Sequence, residues 1–102
     1  MRLNVYTIYD VASGAYMRPF FLQSDGQALR SFTDIATDAE HEVGAHPEDY
    51  SLFRIGTYDD NRGQLVPEDP ECLATALEVV ASSRNKSVAK LEEFQEKVAE
   101  VN

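Results

Sequence analysis

The residue pattern of this chain calls for a small α+β domain. It should hold a four-stranded antiparallel sheet of two hairpins, in the order β-β-α-β-β-α-α, with helices on one face and a helical tail. Three patterns carry that reading. Residues 3–10 and 50–58 alternate β-branched and aromatic residues, and each run leads into a glycine-bearing turn. Residues 24–37 place apolar side chains at helical spacing between the two hairpins. Beyond Pro70 the apolar spacing is again helical to the end of the chain.

The first strand, LNVYTIYD, sets Leu3, Val5, Thr7 and Tyr9 on one face and Asn4, Tyr6, Ile8 and Asp10 on the other. Ser13-Gly14 supplies the turn, and residues 16–22, YMRPFFL, return antiparallel. Pro19 lacks a backbone donor, which puts this second strand at an edge or gives it a bulge. Ser24 and Gln27 fit a capping box for the first helix, and Ala28, Leu29, Phe32, Ile35 and Ala36 form its apolar stripe. Residues 38–49 are a polar connection containing Gly44 and Pro47. The third strand runs from Tyr50 to Tyr58, and the DDNRG turn at 59–63 returns a short fourth strand, Gln64 to Val66.

Pro67 and Pro70 end the sheet, and Pro70 suits the first position of a second helix. Leu73, Ala76, Leu77 and Val80 share its apolar side. The polar SSRNKS at 82–87 is either a break or a solvated turn of one long helix. In the last segment Val88, Leu91, Phe94, Val98 and Val101 line one side, too short a stripe for a lone helix in water. The organisation expected is an α+β domain over residues 1–81 and a helical tail over 82–102 that docks or oligomerises.

Length and charge narrow the function. The 102 residues fit one domain, and no apolar run is long enough to span a membrane. The N-terminus lacks a basic segment followed by an apolar stretch, so no signal peptide is expected and the protein should stay where it is made. With 18 acids against 9 bases, the net charge of −9 opposes binding to duplex DNA through a general positive field. A nucleic-acid role then needs a local patch, an oligomer that concentrates bases, or stacking. Cys72 is the one cysteine, which excludes an internal disulfide and a cysteine zinc cage; a buried structural thiol is expected.

No catalytic constellation emerges. His41 and His46, five apart among acids, match no ligand signature and read as part of a solvated loop. Asp59 and Asp60 match hairpin-turn chemistry, and the serines have no elbow motif or neighbouring base. Neither a metal site, nor a cofactor, nor enzyme activity is expected. Arg84, Lys86 and Lys90 form a basic cluster that reads as a solvated helix face.

The strands carry the more specific signal. If Phe53 and Ile55 pack beneath the first helix, the opposite face shows Tyr6, Tyr16, Arg18, Phe20, Arg54 and Tyr58. Rings interleaved with guanidinium groups on an open sheet suit stacking of single-stranded nucleic acid. The same face could equally be buried in a dimer or covered by the C-terminal helices.

Several strings together resemble a known family: YTIYD at 6–10, RPFF at 18–21, ALRSF at 28–32 and HPEDYSLFRIGTYDDNRG at 46–63. In this order and spacing they are similar to the small nonstructural protein of gokushoviruses, single-stranded DNA phages of the Microviridae. There, a YAVYD-like start, a RPFF strand, an A-R-F helix and a PEDYxLYxIGxFDxxTG segment follow one another. The resemblance covers the first two-thirds of the chain. It implies a non-capsid early protein in the host cytoplasm, DNA-binding and linked to single-stranded genome synthesis. It carries over no catalytic residue. The partners expected are a second copy of the chain (a dimer first), single-stranded DNA, and phage or host replication proteins, with no membrane. The alternative is an acidic homo-oligomeric module that contacts proteins and not DNA.

Overall fold

The computed structural model describes residues 1–85. In chain order the elements are β1 (Arg2–Asp10), β2 (Ala15–Tyr16), β3 (Phe20–Leu22), α1 (Asp25–Ala36), the single-turn α2 (Glu42–Ala45), a 3-10 turn (Pro47–Asp49), β4 (Tyr50–Asp59) and β5 (Gln64–Thr75). Helix α3 occupies residues 76–85. The fold is α+β around an antiparallel sheet in the order β2-β1-β4-β5, with β3 also paired to β1. The expected architecture is present. The apolar stripe Val88, Leu91, Phe94, Val98 and Val101 lies outside the described residues.

Both hairpin turns form as the sequence requires. Gly14 and Gly63 adopt φ of 69° and 64°, the left-handed region that suits glycine. The side chains of Asp10 and Asp59 accept hydrogen bonds from the backbone of Ala12 and Asn61, two residues on. Ser24 caps α1, its Oγ accepting from the Gln27 amide at 3.2 Å, while the Gln27 side chain reaches back to the Gln23 amide.

Three element boundaries differ from expectation. The second strand is split into β2 and β3 around Met17-Arg18-Pro19, because Pro19 cannot donate to the ladder. Met17 bridges the gap: its amide donates to the Ile8 carbonyl, and its own carbonyl accepts from Thr7 Oγ1 at 2.7 Å. The fourth strand does not stop before Pro67 but continues to Thr75. An edge strand tolerates Pro67 and Pro70, and its ladder slips between the Arg54–Glu71 and Gly56–Pro67 pairs. Helix α3 therefore starts at residue 76 and not at Pro70. It is opened by a reciprocal cap, the Glu78 amide donating to Thr75 Oγ1 and the Thr75 amide to Glu78 Oε2. Residues 82–85 are helical, so the polar stretch begins inside α3.

Because β5 extends through Cys72, paired with Phe53 on an edge strand, the thiol is exposed and not buried as expected. The core lies between α1, α2, α3 and one face of the sheet. It contains Tyr6 and Ile8 of β1, Tyr50 and Leu52 of β4, Ala28, Phe32 and Ala36 of α1, Val43 and Ala76. Fully burying a side chain such as Phe32 or Leu52 contributes about 1.5–3 kcal/mol relative to leaving it exposed.

Candidate functional site

The helices cover the face opposite to the one expected. Tyr6 is 0% exposed and sits in the core, and Phe20 packs against it with ring centroids 5.8 Å apart. Arg54, paired across the ladder with Tyr6, points to the same side. Its guanidinium holds Asp25 of α1 at 2.7 Å and Glu71 of β5 at 2.6 Å, with Glu68 at 3.8 Å. Asp25 in turn accepts from the Tyr6 hydroxyl at 2.7 Å, and that hydroxyl accepts from Asn4. This network ties the first turn of α1 to three strands. Asp25 is the main reason the Arg54 guanidinium is still harder to deprotonate than usual. Three of the six residues expected on an open platform, Tyr6, Phe20 and Arg54, are thus structural and lie beneath the helix.

The opposite face, which no described helix covers, is built from the alternate residues, with Val5 and Thr7 buried among their neighbours and Tyr16 and Phe21 exposed. Leu3, Val5, Thr7 and Tyr9 of β1 pair across the ladder with Tyr58, Gly56, Phe53 and Ser51 of β4. At one end Tyr9, Tyr16 and Phe53 form a mutual cluster, with centroids 4.7 Å apart for Tyr9–Tyr16 and 5.7 Å for Tyr16–Phe53. At the other end Phe21 and Tyr58 meet edge-on at 5.5 Å. Beside them lies a shallow groove of about 340 Å³ lined by Val5, Pro19, Phe21, Ile55, Gly56, Leu65, Val66 and Pro67. Tyr58 reaches this face because the ladder between β1 and β4 shifts at Val5/Tyr6, leaving Ile55 as an extra residue and breaking the alternation with Arg54.

Of the six residues expected together, Tyr16 and Tyr58 share the open face at opposite ends. Arg18 is exposed and makes no ion pair with a described residue. The sequence reading missed Tyr9, Phe53 and Phe21 as surface groups. The signal was present, since Tyr9 and Phe53 each stand among small or apolar neighbours at period two. Alternation alone does not say which of two apolar faces a helix will take.

Charge is sorted between the faces. Of the strand carboxylates, Asp10, Asp59 and Glu71 pair in register with Tyr50, Arg2 and Arg54 on the helix-covered side, and Glu68 faces Arg54 at 3.8 Å. The paired rows of the open face, Leu3–Tyr58–Leu65 and Phe21–Val5–Gly56–Pro67, carry no charge. In a chain of net charge −9, that neutrality is the site's most distinctive property.

Elsewhere the polar groups are structural. His41 caps α2, its Nδ1 accepting from the Val43 amide, and the Tyr50 hydroxyl donates to Glu42 at 2.8 Å. Among the described residues no cluster of His, Cys, Asp and Glu could hold a metal ion, and no helix is long and apolar enough to cross a membrane. A second hollow of about 550 Å³ lies between the end of α1, Gly44, Pro47 and α3; none of its described lining residues bears a carboxylate or imidazole.

Searches of curated proteins and of solved structures found no match to this chain. A family model described as "Phage ORF5 protein" matches residues 3–79, from the first strand into α3. That span takes in both hairpins, α1 and the whole open face, and the chain belongs to the Phage ORF5 protein family.

Proposed function

We propose that this phage protein is nonstructural and serves single-stranded genome synthesis in the host cytoplasm. In this reading it holds single-stranded DNA by stacking bases on Tyr9, Tyr16 and Phe53, with Arg18 as the neighbouring cation. The observation that carries the reading is a sheet face that no described helix covers, whose paired rows bear no carboxylate and which carries that aromatic cluster. Stacking on aromatic side chains contributes roughly 1–3 kcal/mol per base and needs no sequence preference. The net charge of −9 opposes a broad phosphate footprint, so in this reading the bases and not the backbone supply most of the affinity.

Fluorescence anisotropy with a labelled single-stranded oligonucleotide tests this directly. Binding should show a shallow salt dependence, a log–log slope of roughly −0.7 for one phosphate neutralised. Tyr16→Ala, at a position 50% exposed, should weaken it by roughly tenfold. A titration with no binding, or one untouched by Tyr16→Ala, removes the proposal.

The apolar groove at the other end of the face favours a second reading, an acidic homo-oligomeric module that contacts phage or host replication proteins and leaves DNA alone. Under that reading the anisotropy titration stays flat.

A further inference from the structure

We infer that the apolar end of the open sheet face, around Gly56 and Leu65, is where a second copy of this chain docks. The inference stands apart from DNA binding. Tyr9 lies four residues further along β1 than Val5, about 13 Å away at strand rise.

The argument begins with what this face refuses. A basic partner would be drawn to carboxylates, and the paired rows of this face carry none. Phosphates gain nothing from a row that carries no cation. Two copies, each at −9, repel wherever their acids approach, so close contact is cheapest where neither bears charge. The open face is such a surface, and a second copy brings the same one.

Shape agrees with self-pairing. Val5 and Gly56 lie at the floor of the groove, in the row Phe21–Val5–Gly56–Pro67, with the Val66–Pro67 backbone packed close against Gly56. Beside that row, Leu65 stands 63% exposed on the same face, in register with Tyr58. A two-fold axis through the face would bring Leu65 of each copy against the apolar groove of the other, a self-complementary arrangement.

Edge pairing is the competing way for sheets to associate, and here it is obstructed. One edge is β5, with Pro67, Pro70 and two slips of register; the other is the pair of short strands β2 and β3. Face-to-face contact remains open.

The test is the solution mass of the full chain by sedimentation equilibrium, at protein concentrations up to the order of 100 μM, where weak dimers are still visible. The expected mass is twice the 11.4 kDa of one chain. Leu65→Glu and Leu65→Lys should both shift it to one chain mass, because either charge must be desolvated in the interface. Leu77→Glu, at an exposed position on α3, should leave the dimer intact. Unaltered circular dichroism establishes that the variants fold. Raising the salt should preserve or strengthen the unaltered dimer, since screening relieves repulsion between acidic copies. A monomer throughout, a dimer indifferent to both Leu65 changes, equal loss with Leu77→Glu, or dissociation by salt would each overturn the inference.

Discussion

Arg54 and Arg18 show how differently two arginines on one sheet can be employed. Arg54 is held by Asp25, Glu71 and Glu68, so removing its guanidinium leaves three carboxylates facing one another across α1 and β5. Arg54→Ala should lower unfolding stability by roughly 1.5–3 kcal/mol, the usual loss for hydrogen bonds to charged groups. Arg18→Ala, on an exposed side chain, should stay within about 0.5 kcal/mol of the parent. Urea denaturation of the two variants side by side checks both numbers. Equal losses would mean that the Arg54 network contributes nothing to stability. The contrast also separates function from fold, because of the two only the Arg18 change tests the proposed DNA contact without loosening the domain.

At the scale of elements, what the sequence made legible were the features set by local chemistry. The Gly14 and Gly63 turns, the Ser24 cap and the Ala28–Phe32–Ala36 stripe each follow from a residue's own conformational or hydrogen-bonding preference. The long β5 was not legible, because its prolines are permitted only by its place at the sheet edge, which the neighbouring strands decide. The choice of covered face was not legible for a related reason. Tyr6 and Ile8 on one side and Val5 and Tyr9 on the other are equally apolar, and the Asp25–Arg54 pair that fixes α1 over Tyr6 spans 29 residues. The shift beside Val5/Tyr6 then moved Tyr58 off the face of Arg54, something strict alternation cannot foresee.

The slipped ladder between β4 and β5 makes its own prediction. A Cβ on Gly56 would collide with the Val66 carbonyl oxygen, which is paired β5 backbone and not the free end of a side chain. Gly56→Ala should therefore cost about 1–3 kcal/mol, the range for overpacking. Gly26, in the first turn of α1, is the counterpart: its nearest neighbour to an added Cβ is Ser24 Oγ at an ordinary 3.8 Å. Gly26→Ala should raise stability by about 0.5–1 kcal/mol through helix propensity and a less flexible unfolded chain. Thermal melts showing the two alanines moving in opposite directions would support the bulge as built. A neutral Gly56→Ala would mean that the strands can part there.

For the molecule as a whole, alkaline pH is the condition that should open the fold, and two core phenols explain it. Burial first, and then the hydrogen bond donated to Asp25, push the Tyr6 phenol up to about 12 from 10.0. Burial and the bond donated to Glu42 do the same for Tyr50, also to about 12. Each folded phenol holds its proton more tightly than the unfolded one. Their contribution to stability is therefore full below pH 10 and is lost as pH rises toward 12. The two sites brace different parts of the core: Tyr6 links β1 to α1, and Tyr50 links β4 to α2. Ionising either would set a phenolate against a carboxylate in a protein that is already strongly acidic. The urea midpoint should thus be flat on this account up to pH 10 and fall beyond it. Tyr6→Phe keeps the ring but loses the hydroxyl, so its unfolding free energy should start lower by about 1 kcal/mol and its midpoint then decline less steeply with pH. Parallel declines in the parent and in Tyr6→Phe would show that other groups govern alkaline unfolding, and that the phenol–carboxylate bond beneath α1 does not couple the fold to pH.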